Sequence, residues 1–554
     1  MIQIRTYDFD DKSSNIIAQN KDVSNWPVVY IISNSTEAYI GETTNVSSRI
    51  NQHYMNDERK KLKQINVITS NKFNKSSVLD LESFLIKYMS ADKKFKLQNG
   101  NNGLQNHNYY HRDQYRESFK NVWEQLKAMG IVTNNLIKIA NSDLFKYSPY
   151  KSLTDDQYNI VDKILHYLTL DIAENKKSSM IVRGGAGTGK TILGIYLIKL
   201  LVDASKKSDI FSFAKDIHFA PENLMSQKNN FRVGLVVPMD NLRATLRKCF
   251  KNIEHLSPAM VLSPNDVAKE EEIYDLLIVD EAHRLRRRVN LTQYSSFDTN
   301  NSSLSLGKDG TELDWILKKS KHQIFFYDKN QSIRPTDIRS EKMDLLINNP
   351  ANYVFDLQAQ MRCLKGGEKY INYVKAIFSN KPPKEKSVFE EYDFQLFYDV
   401  DEMVIKIKSL DKIHGLCRNV AGYAWTWRTK NSVEQKLHDI EIKGYKYVWN
   451  SKLTDWINSP NSINEIGSIH TTQGYDLNYT GLIIGSDLRY DTKNERLFVD
   501  RSNYFDVKGK NTTTDEELLQ YLLNIYSTMC LRGVLGTFLY VCDDGLRDYL
   551  KRYL

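Results

Sequence analysis

Short apolar runs separated by polar turns open the chain: VVYII from Val28, AYIG from Ala38, then SSVLDLESFLIKYM. In the last, Leu81, Phe84, Leu85 and Tyr88 recur at the spacing of an amphipathic helix. A small α+β module over residues 1–110 is expected. From His111 to about Ser148 the pattern turns helical, in SFKNVWEQLKAMG and NNLIKIANSDLF, and predicts a helical linker over 111–150 packed on one of its neighbours. After Tyr150 come strand, glycine-rich turn and helix, then the apolar runs MIVRG, VGLVVP, LLIVDE and QIFFYD. Such runs alternating with helices mark a buried parallel sheet. They predict one parallel-sheet lobe over 151–350 and a second over 351–554, beginning near Ala351. Two stretches interrupt the pattern, Lys206 to Asn230 and Val289 to Thr311, the second rich in Asn, Ser and Thr. Both read as surface insertions, the second as mobile. No repeat is visible.

Composition narrows this little. Hydrophobic residues at 41% and charged residues at 26% of 554 fit several folded globular domains rather than a disordered chain. The net charge of +8 permits a polyanionic partner without demanding one. The five cysteines, Cys249, Cys363, Cys417, Cys530 and Cys542, are scattered, which argues against a disulfide framework or zinc site and fits a reducing compartment. The start, MIQIRTYDFDDKSS, lacks the pattern of a signal peptide, and no run of 18 apolar residues occurs. A cytoplasmic protein without membrane spans is expected.

The strongest chemical signal is GGAGTGKT, Gly184 to Thr191, set between the strand SSMIVR and the helix TILGIYLIKLL. Gly184, Gly187 and Gly189 let backbone N–H groups close round phosphates, Lys190 can reach the β and γ phosphates, and the Thr191 hydroxyl can ligate Mg²⁺. A second carboxylate-bearing strand end, YDLLIVDEAHRL, supplies Asp280 to hold the metal and Glu281 to orient the attacking water. ATP and Mg²⁺ are the expected cofactors.

In this region the chain resembles superfamily 1 helicases, and more closely the Schlafen-related helicase-like ATPases of bacteria, over about 400 residues. The resemblance makes Gln157, in LTDDQYNIV, the reader of adenine. In FFYDKNQSIRP it gives Asp328 and Gln331 γ-phosphate and inter-domain contacts, and in LQAQMRC it brings Arg362 to the phosphates. In GSIHTTQGYDLNYTGLIIG it gives His470, Thr471, Thr472 and Gln473 the coupling of nucleotide to nucleic acid, with Asp476 where many relatives carry glutamate. In YSTMCLRGVLGTFLYVCD it makes Arg532 the arginine finger. Only about forty residues separate VGLVVP from Asp280, and about a hundred separate Gln360 from Gly467, too few for large inserted subdomains. A compact two-lobed motor is expected.

The N-terminal text VVYIISNSTEAYIGETTNVSSRINQHY resembles the GIY-YIG nuclease family over about eighty residues. The resemblance assigns Tyr30, Tyr39 with Gly41, Arg49, His53, Glu82 and Asn99; the first motif's glycine is Val28 here. Chemically, Glu82 can hold a divalent metal on a scissile phosphate and Arg49 can neutralise its developing charge, while Tyr30, with His53 beside it, can help activate the water. Two further features stay open: Trp425 and Trp427 as base-stacking or core residues, and the run RLRRR, Arg284 to Arg288, as a phosphate grip or a solvated helix end.

The expected fold is therefore α/β, a small α+β GIY-YIG-like domain followed by two RecA-like parallel-sheet lobes. The expected function is ATP-dependent movement along nucleic acid, DNA ahead of RNA, coupled to metal-dependent endonucleolytic cleavage in bacterial defence against phage or plasmid DNA. An ATP-driven switch that gates the nuclease without translocating, or a repair enzyme, is the alternative.

Overall fold

The computed structural model describes residues 2–99, 109–149, 153–185, 187–205, 231–358, 367–379, 381–429, 437–452, 455–472, 474–510 and 513–554. They cluster into two units, Met1–Tyr158 with Ile195–Asn229 and Lys248–Leu256, and Asn159–Gly194 with Asn230–Arg247 and Ser257–Leu554. Among the described residues no helix is long and apolar enough to cross a membrane.

In the first unit, strands β1 (Gln3–Asp8), β2 (Val28–Ser33), β3 (Glu37–Thr43), β4 (Gln64–Thr69) and β5 (Lys96–Leu97) form a sheet in the order β1-β4-β2-β3-β5. All pairings are antiparallel except that of β3 with β5. Every residue of β2 is buried, as its unbroken VVYII implies for a central strand covered on both faces. The helix Lys75–Asp92 starts at a capping box of Asn74 and Ser77 and ends at left-handed Lys93. Its Leu81, Leu85 and Met89 are buried. Phe84 and Tyr88 instead meet Phe119 and Trp123 of the helix Arg112–Ala128. Two buried carboxylates fasten that helical stretch to the first: Asp80 to Arg116, and Asp92 to the backbone N–H groups of Thr133 and Asn134.

The second unit holds two wholly parallel sheets. In the first are β6 (Ser178–Gly184), β7 (Val233–Val236), β8 (Val261–Leu262), β9 (Tyr274–Val279), β10 (Ser320–Tyr327) and β11 (Tyr353–Leu357), in the order β11-β6-β10-β9-β7-β8. All four apolar runs of the sequence are here, and β9 is buried throughout. Strand β11 departs from expectation, because the chain beyond Ala351 first completes this sheet, with Val354 opposite Ile181. Asp356 faces Arg183 across the strands in a two-pronged pair at 2.7 Å, and Tyr353 stacks on Tyr167 at 4.2 Å. The parallel backbone ladder on β6, with Phe355 and Leu357 buried, fixes its sheet.

Only at β12 (Asp393–Phe397) does the second lobe's sheet begin. It continues with β13 (Arg418–Ala421) and, past a hairpin of β14 (Ile440–Ile442) and β15 (Tyr445–Tyr447), with β16 (Ile466–Gly467) and β17 (Leu477–Ile484). After a second hairpin, β18 (Leu488–Asp491) with β19 (Arg496–Val499), β20 (Gly533–Val541) completes the order β12-β20-β17-β13-β16.

Val289 to Thr311 is not the loose insertion expected. It contains the helix Tyr294–Ser303, whose Phe297 lies 4.5 Å from the buried Trp315 ring. Asn301 accepts from the Trp315 indole N–H at 2.6 Å and donates to the Gly307 and Gly310 carbonyls. The polar residues that suggested mobility are what close the loop, since short amides satisfy backbone groups a turn would otherwise leave bare. Lys206 to Asn230 lies outside the described residues.

Candidate functional site

Three neighbouring strands of the six-stranded sheet, β6, β10 and β9, end side by side, and the motif residues sit at those carboxyl ends, where open α/β sheets bind ligands. After β6 the glycine-rich turn places Gly187 at φ 83° and Gly189 at φ 80°, a backbone that glycine adopts at no steric cost. Lys190 donates to the Gly184 and Gly185 carbonyls at 2.7 and 2.8 Å. The Thr191 hydroxyl donates to Asp280 Oδ2 at 2.7 Å.

Burial, and then Glu281 beside it, push the Asp280 carboxyl up. Burial acts the same way on Glu281, but there His283, with Lys190 and Arg284, outweighs it and carries the group down. His283, 1% exposed, lies 2.9 Å from Glu281 through Nε2. Glu281 also occupies left-handed backbone, φ 52°, the kind of strained position that clusters at functional sites.

Asp328 follows β10, accepting from Asn330 N–H and from the Gln331 amide at 2.6 Å. The next residues join the lobes: Ser332 O accepts from Asn524, and Ile333 packs into the second lobe's core. Thr245 and Tyr475 add a second link through hydroxyls 2.8 Å apart. Buried Arg532 reaches Tyr475 O at 3.4 Å. The Thr471 and Thr472 hydroxyls turn inward, onto Asn450 and Ser468, and His470 lies 5.5 Å from the Tyr423 ring. Arg362 and Gln473 lie outside the described residues.

Gln157, in the first unit, accepts from Thr154 N–H at 3.0 Å while Gln157 N–H returns the bond to the Thr154 hydroxyl, a reciprocal cap on the helix Asp155–Ala173.

A cavity of about 750 Å³ opens beside these motifs, lined by Arg243, Arg284, Arg286 and Arg334 on one side and by Trp427 and His470 on the other. The RLRRR run is not a solvated helix end, one of its two readings. Arg284 pairs with Asp337 at 2.8 Å, Arg286 with buried Glu312 at 2.7 Å and Arg288 with Asp298 at 2.6 Å, and Arg287 donates to Pro335 O. Each guanidinium thus has a protein partner, while Arg286 keeps half its side chain exposed toward the cavity. Trp425 and Trp427 pack, partly buried, on the cluster containing Trp449.

On the first unit's sheet the other candidates converge. Tyr30 is wholly buried, with its hydroxyl 2.7 Å from His53 Nε2 and its ring 6.4 Å from that of Tyr39. Burial, reinforced by Tyr39, raises its pKa. A Cβ on Gly41 would stand 2.3 Å from that hydroxyl, so only glycine fits. Arg49 and His53 share a face of the helix Val46–Tyr54. Arg49 faces both tyrosine hydroxyls.

Glu82 comes to the same place from the helix Lys75–Asp92 and takes a hydrogen bond from Glu42 N–H. Burial, then the Glu42 carboxylate, push its carboxyl up to about 8. Asn99 is held differently: its amide accepts from Ile40 N–H and donates to Ile40 O, at 3.0 and 2.7 Å. It ties the segment after β5 to β3.

Several residues here escaped the sequence reading. Arg59 lies over the Tyr39 ring and against His53. Glu42 pairs with Lys75, one carboxylate away from Glu82. His283 braces Glu281, and Lys375, from the second lobe's helix Gly367–Ile377, brings Nζ within 3.9 Å of where a Cβ on Gly185 would be. Only His283 and Glu42 carried a signal, since each adjoins a recognised motif.

Comparison with known proteins agrees with both halves. Residues 27–96 match the GIY-YIG catalytic domain, and residues 177–543, more than half of the chain, match the Schlafen group 3 DNA/RNA helicase domain. An uncharacterized protein of Saccharomyces cerevisiae is 24% identical over 443 residues, 72% of this chain and 91% of its own length. The signal recognition particle receptor FtsY of Metamycoplasma hominis is 28% identical over 186 residues, 32% of this chain and 49% of that protein. Among solved structures, arterivirus nonstructural protein 10 (helicase) with DNA overlaps at a TM-score of 0.29 and 12% identity, covering 70% of this chain and 65% of that one. Pif1 helicase from Bacteroides, with ADP-AlF3 and single-stranded DNA, overlaps at 0.26 and 12%, covering 73% and 95%. Likeness that slight says nothing of function.

The chain is thus an enzyme of two catalytic classes, a helicase-type ATP hydrolase joined to an endonuclease domain. It belongs to the Schlafen group 3 helicase-domain family and carries a GIY-YIG catalytic domain ahead of it.

Proposed function

We propose that this protein moves along nucleic acid at the expense of ATP and couples that movement to metal-dependent endonucleolytic cleavage. The observation that carries the reading is the assembly of Lys190, Thr191, Asp280 and Glu281 in one group, in the same unit as the arginine-lined cavity. Lys190 neutralises phosphate charge, Glu281 orients the attacking water, and Gln331 with Ser332 and Ile333 passes the state of the phosphate site to the second lobe. Arg532 brings positive charge to the phosphates from that lobe. Thr191 and Asp280 are adjacent hard oxygen donors, the set that takes Mg²⁺ together with phosphate oxygens. When bound, the ion draws charge from the transferred phosphoryl group.

On the nuclease side Glu82 would hold a divalent cation. Its carboxyl sits where burial disfavours an unpaired charge, and no cluster of three or more metal-ligating side chains forms among the described residues. A single carboxylate plus a substrate phosphate is a common way to bind Mg²⁺. Arg49 offsets charge on the cleaved phosphate, and Tyr30 and Tyr39 line the approach of the water. DNA is the favoured substrate, and a fused cutter and motor suits restriction of phage or plasmid DNA as well as repair.

The test is cleavage of circular and linear DNA and RNA, with and without ATP, alongside ATP turnover and strand displacement. Single strands should stimulate turnover, and binding should weaken by about 0.7 log units per log of salt for each phosphate neutralised. Stimulated turnover with no displacement or translocation would favour an ATP-driven gate. Absence of any stimulation, with a flat salt response, would overturn the nucleic-acid reading.

A further inference from the structure

Beside Tyr30 stands a guanidinium that no motif claims. Arg59 opens the short turn Arg59–Lys61 and meets two rings. Its Nη1 lies 2.7 Å from His53 Nδ1, and its guanidinium carbon sits 4.0 Å above the centre of the Tyr39 ring. On the far side of the imidazole, His53 Nε2 is 2.7 Å from the Tyr30 hydroxyl, and the His53 side chain is 1% exposed.

Arginine has only donors and does not lose its proton in proteins. The nitrogen that faces it at hydrogen-bond distance, Nδ1, must therefore be the bare one. A neutral imidazole carries one proton, which then resides on Nε2 and points at Tyr30. A doubly protonated ring would set N–H against N–H at Arg59. Burial, then the charges of Arg59 and Arg49, hold the ring neutral, with its pKa down to about 3.

We propose that Arg59 is a positioning residue of the nuclease site, locking His53 as the Nε2–H tautomer so that His53 donates a hydrogen bond to the Tyr30 oxygen. The inference rests on Tyr30, Arg49 and Glu82 being the cleavage site. It changes what His53 does there. With Nδ1 occupied by Arg59 and Nε2 carrying the proton, His53 has no lone pair with which to take the Tyr30 proton. It holds the phenol oxygen as an acceptor instead, so the hydroxyl proton is directed away from the ring. Tyr39 serves as the platform on which Arg59 is held by cation–π contact.

The test uses the full chain labelled with ¹⁵N at histidine, with the His53 ring assigned by its loss in His53→Gln. In the parent, Nδ1 should give a pyridine-type signal and Nε2 a pyrrole-type one, unchanged between about pH 8 and pH 5, the window in which a free histidine titrates. Arg59→Met keeps the length of the side chain and removes the donors. It should mix the tautomers or let the ring protonate, and lower cleavage by about ten- to a hundredfold, the usual cost of losing a partner that orients a site residue. Arg59→Lys keeps a donor and should restore both the tautomer and most of the cleavage.

A protonated Nδ1 in the parent, or Arg59→Met with parental signals and parental cleavage, overturns the proposal. Glu82→Gln separates it from the nuclease reading. If that variant cuts as well as the parent, the nuclease site is wrongly placed. If it is inactive and the tautomer is not as stated, only the role of Arg59 fails.

Discussion

Glu281 occupies left-handed backbone at the end of a buried strand, its carboxylate braced by His283 and its neighbour Asp280 bonded to Thr191. Glu281→Gln keeps the shape and removes the charge, so ATP turnover should fall by about 10² to 10⁴ while nucleotide still binds. Lys190→Ala should lose both, which parallel turnover and nucleotide-binding titrations would show; normal turnover in Lys190→Ala contradicts the phosphate site. At Gly41 the constraint is steric, because an added methyl would stand 2.3 Å from the Tyr30 hydroxyl. Gly41→Ala should therefore displace Tyr30 and abolish cleavage with ATP hydrolysis unchanged, and full cutting by that variant would remove Tyr30 from the reaction. Residues like these are legible in a sequence because phosphate chemistry or close packing admits one residue type at a fixed spacing. Arg59 and Lys375 are not. Each sits in an ordinary charged stretch and acquires meaning only through partners that folding brings to it.

At the scale of elements, the apolar runs predicted four of the six strands of the first parallel sheet, because a strand buried on both faces has to be written in continuous hydrophobic letters. The pattern was silent where pairing distant in sequence decides: β11 joins β6 through a parallel backbone ladder, and the insertion after Arg288 folds through Asn301 and Trp315. That insertion should resist proteolysis in the parent. Phe297→Ala should remove about 3 kcal/mol of packing and open it to nicking. Equal nicking of both proteins means that the helix Tyr294–Ser303 is not held as described.

The turn between β17 and β18 makes a different prediction. There Asp487 is fully buried against the Tyr526 hydroxyl at 2.6 Å, and burial raises its carboxyl to about 7. Its folded pKa exceeds the unfolded one, so its contribution to stability is complete below about pH 4 and is lost as pH rises through 7. Asp487→Asn copies the neutral form, and it should melt higher than the parent at about pH 8 but gain little at about pH 5. A gain that does not vary with pH excludes titration of Asp487 as its cause.

In the whole molecule, the two sets of residues proposed to handle phosphate belong to different compact units, one around Glu82 and Arg49, the other around Lys190 and Asp280. They share no carboxylate and no arginine, so each can be removed without touching the other. Glu82→Ala takes away the carboxylate proposed to hold the nuclease metal. Cleavage should disappear, and ATP hydrolysis should stay near the parental rate because Thr191 and Asp280 are intact. Arg532→Ala removes a buried guanidinium of the second lobe next to Tyr475, whose hydroxyl meets Thr245 of the first lobe. The proposed role of Arg532 as an arginine finger predicts a loss of about 10³ to 10⁵ in turnover, so ATP hydrolysis should collapse while every residue of the N-terminal cluster stays in place. What cleavage does in Arg532→Ala then reports the coupling. Cutting that continues means the motor only delivers substrate, whereas cutting that stops means ATP-driven movement or closure licenses the nuclease. A Glu82→Ala protein that cuts as well as the parent would remove the N-terminal domain from the reaction altogether.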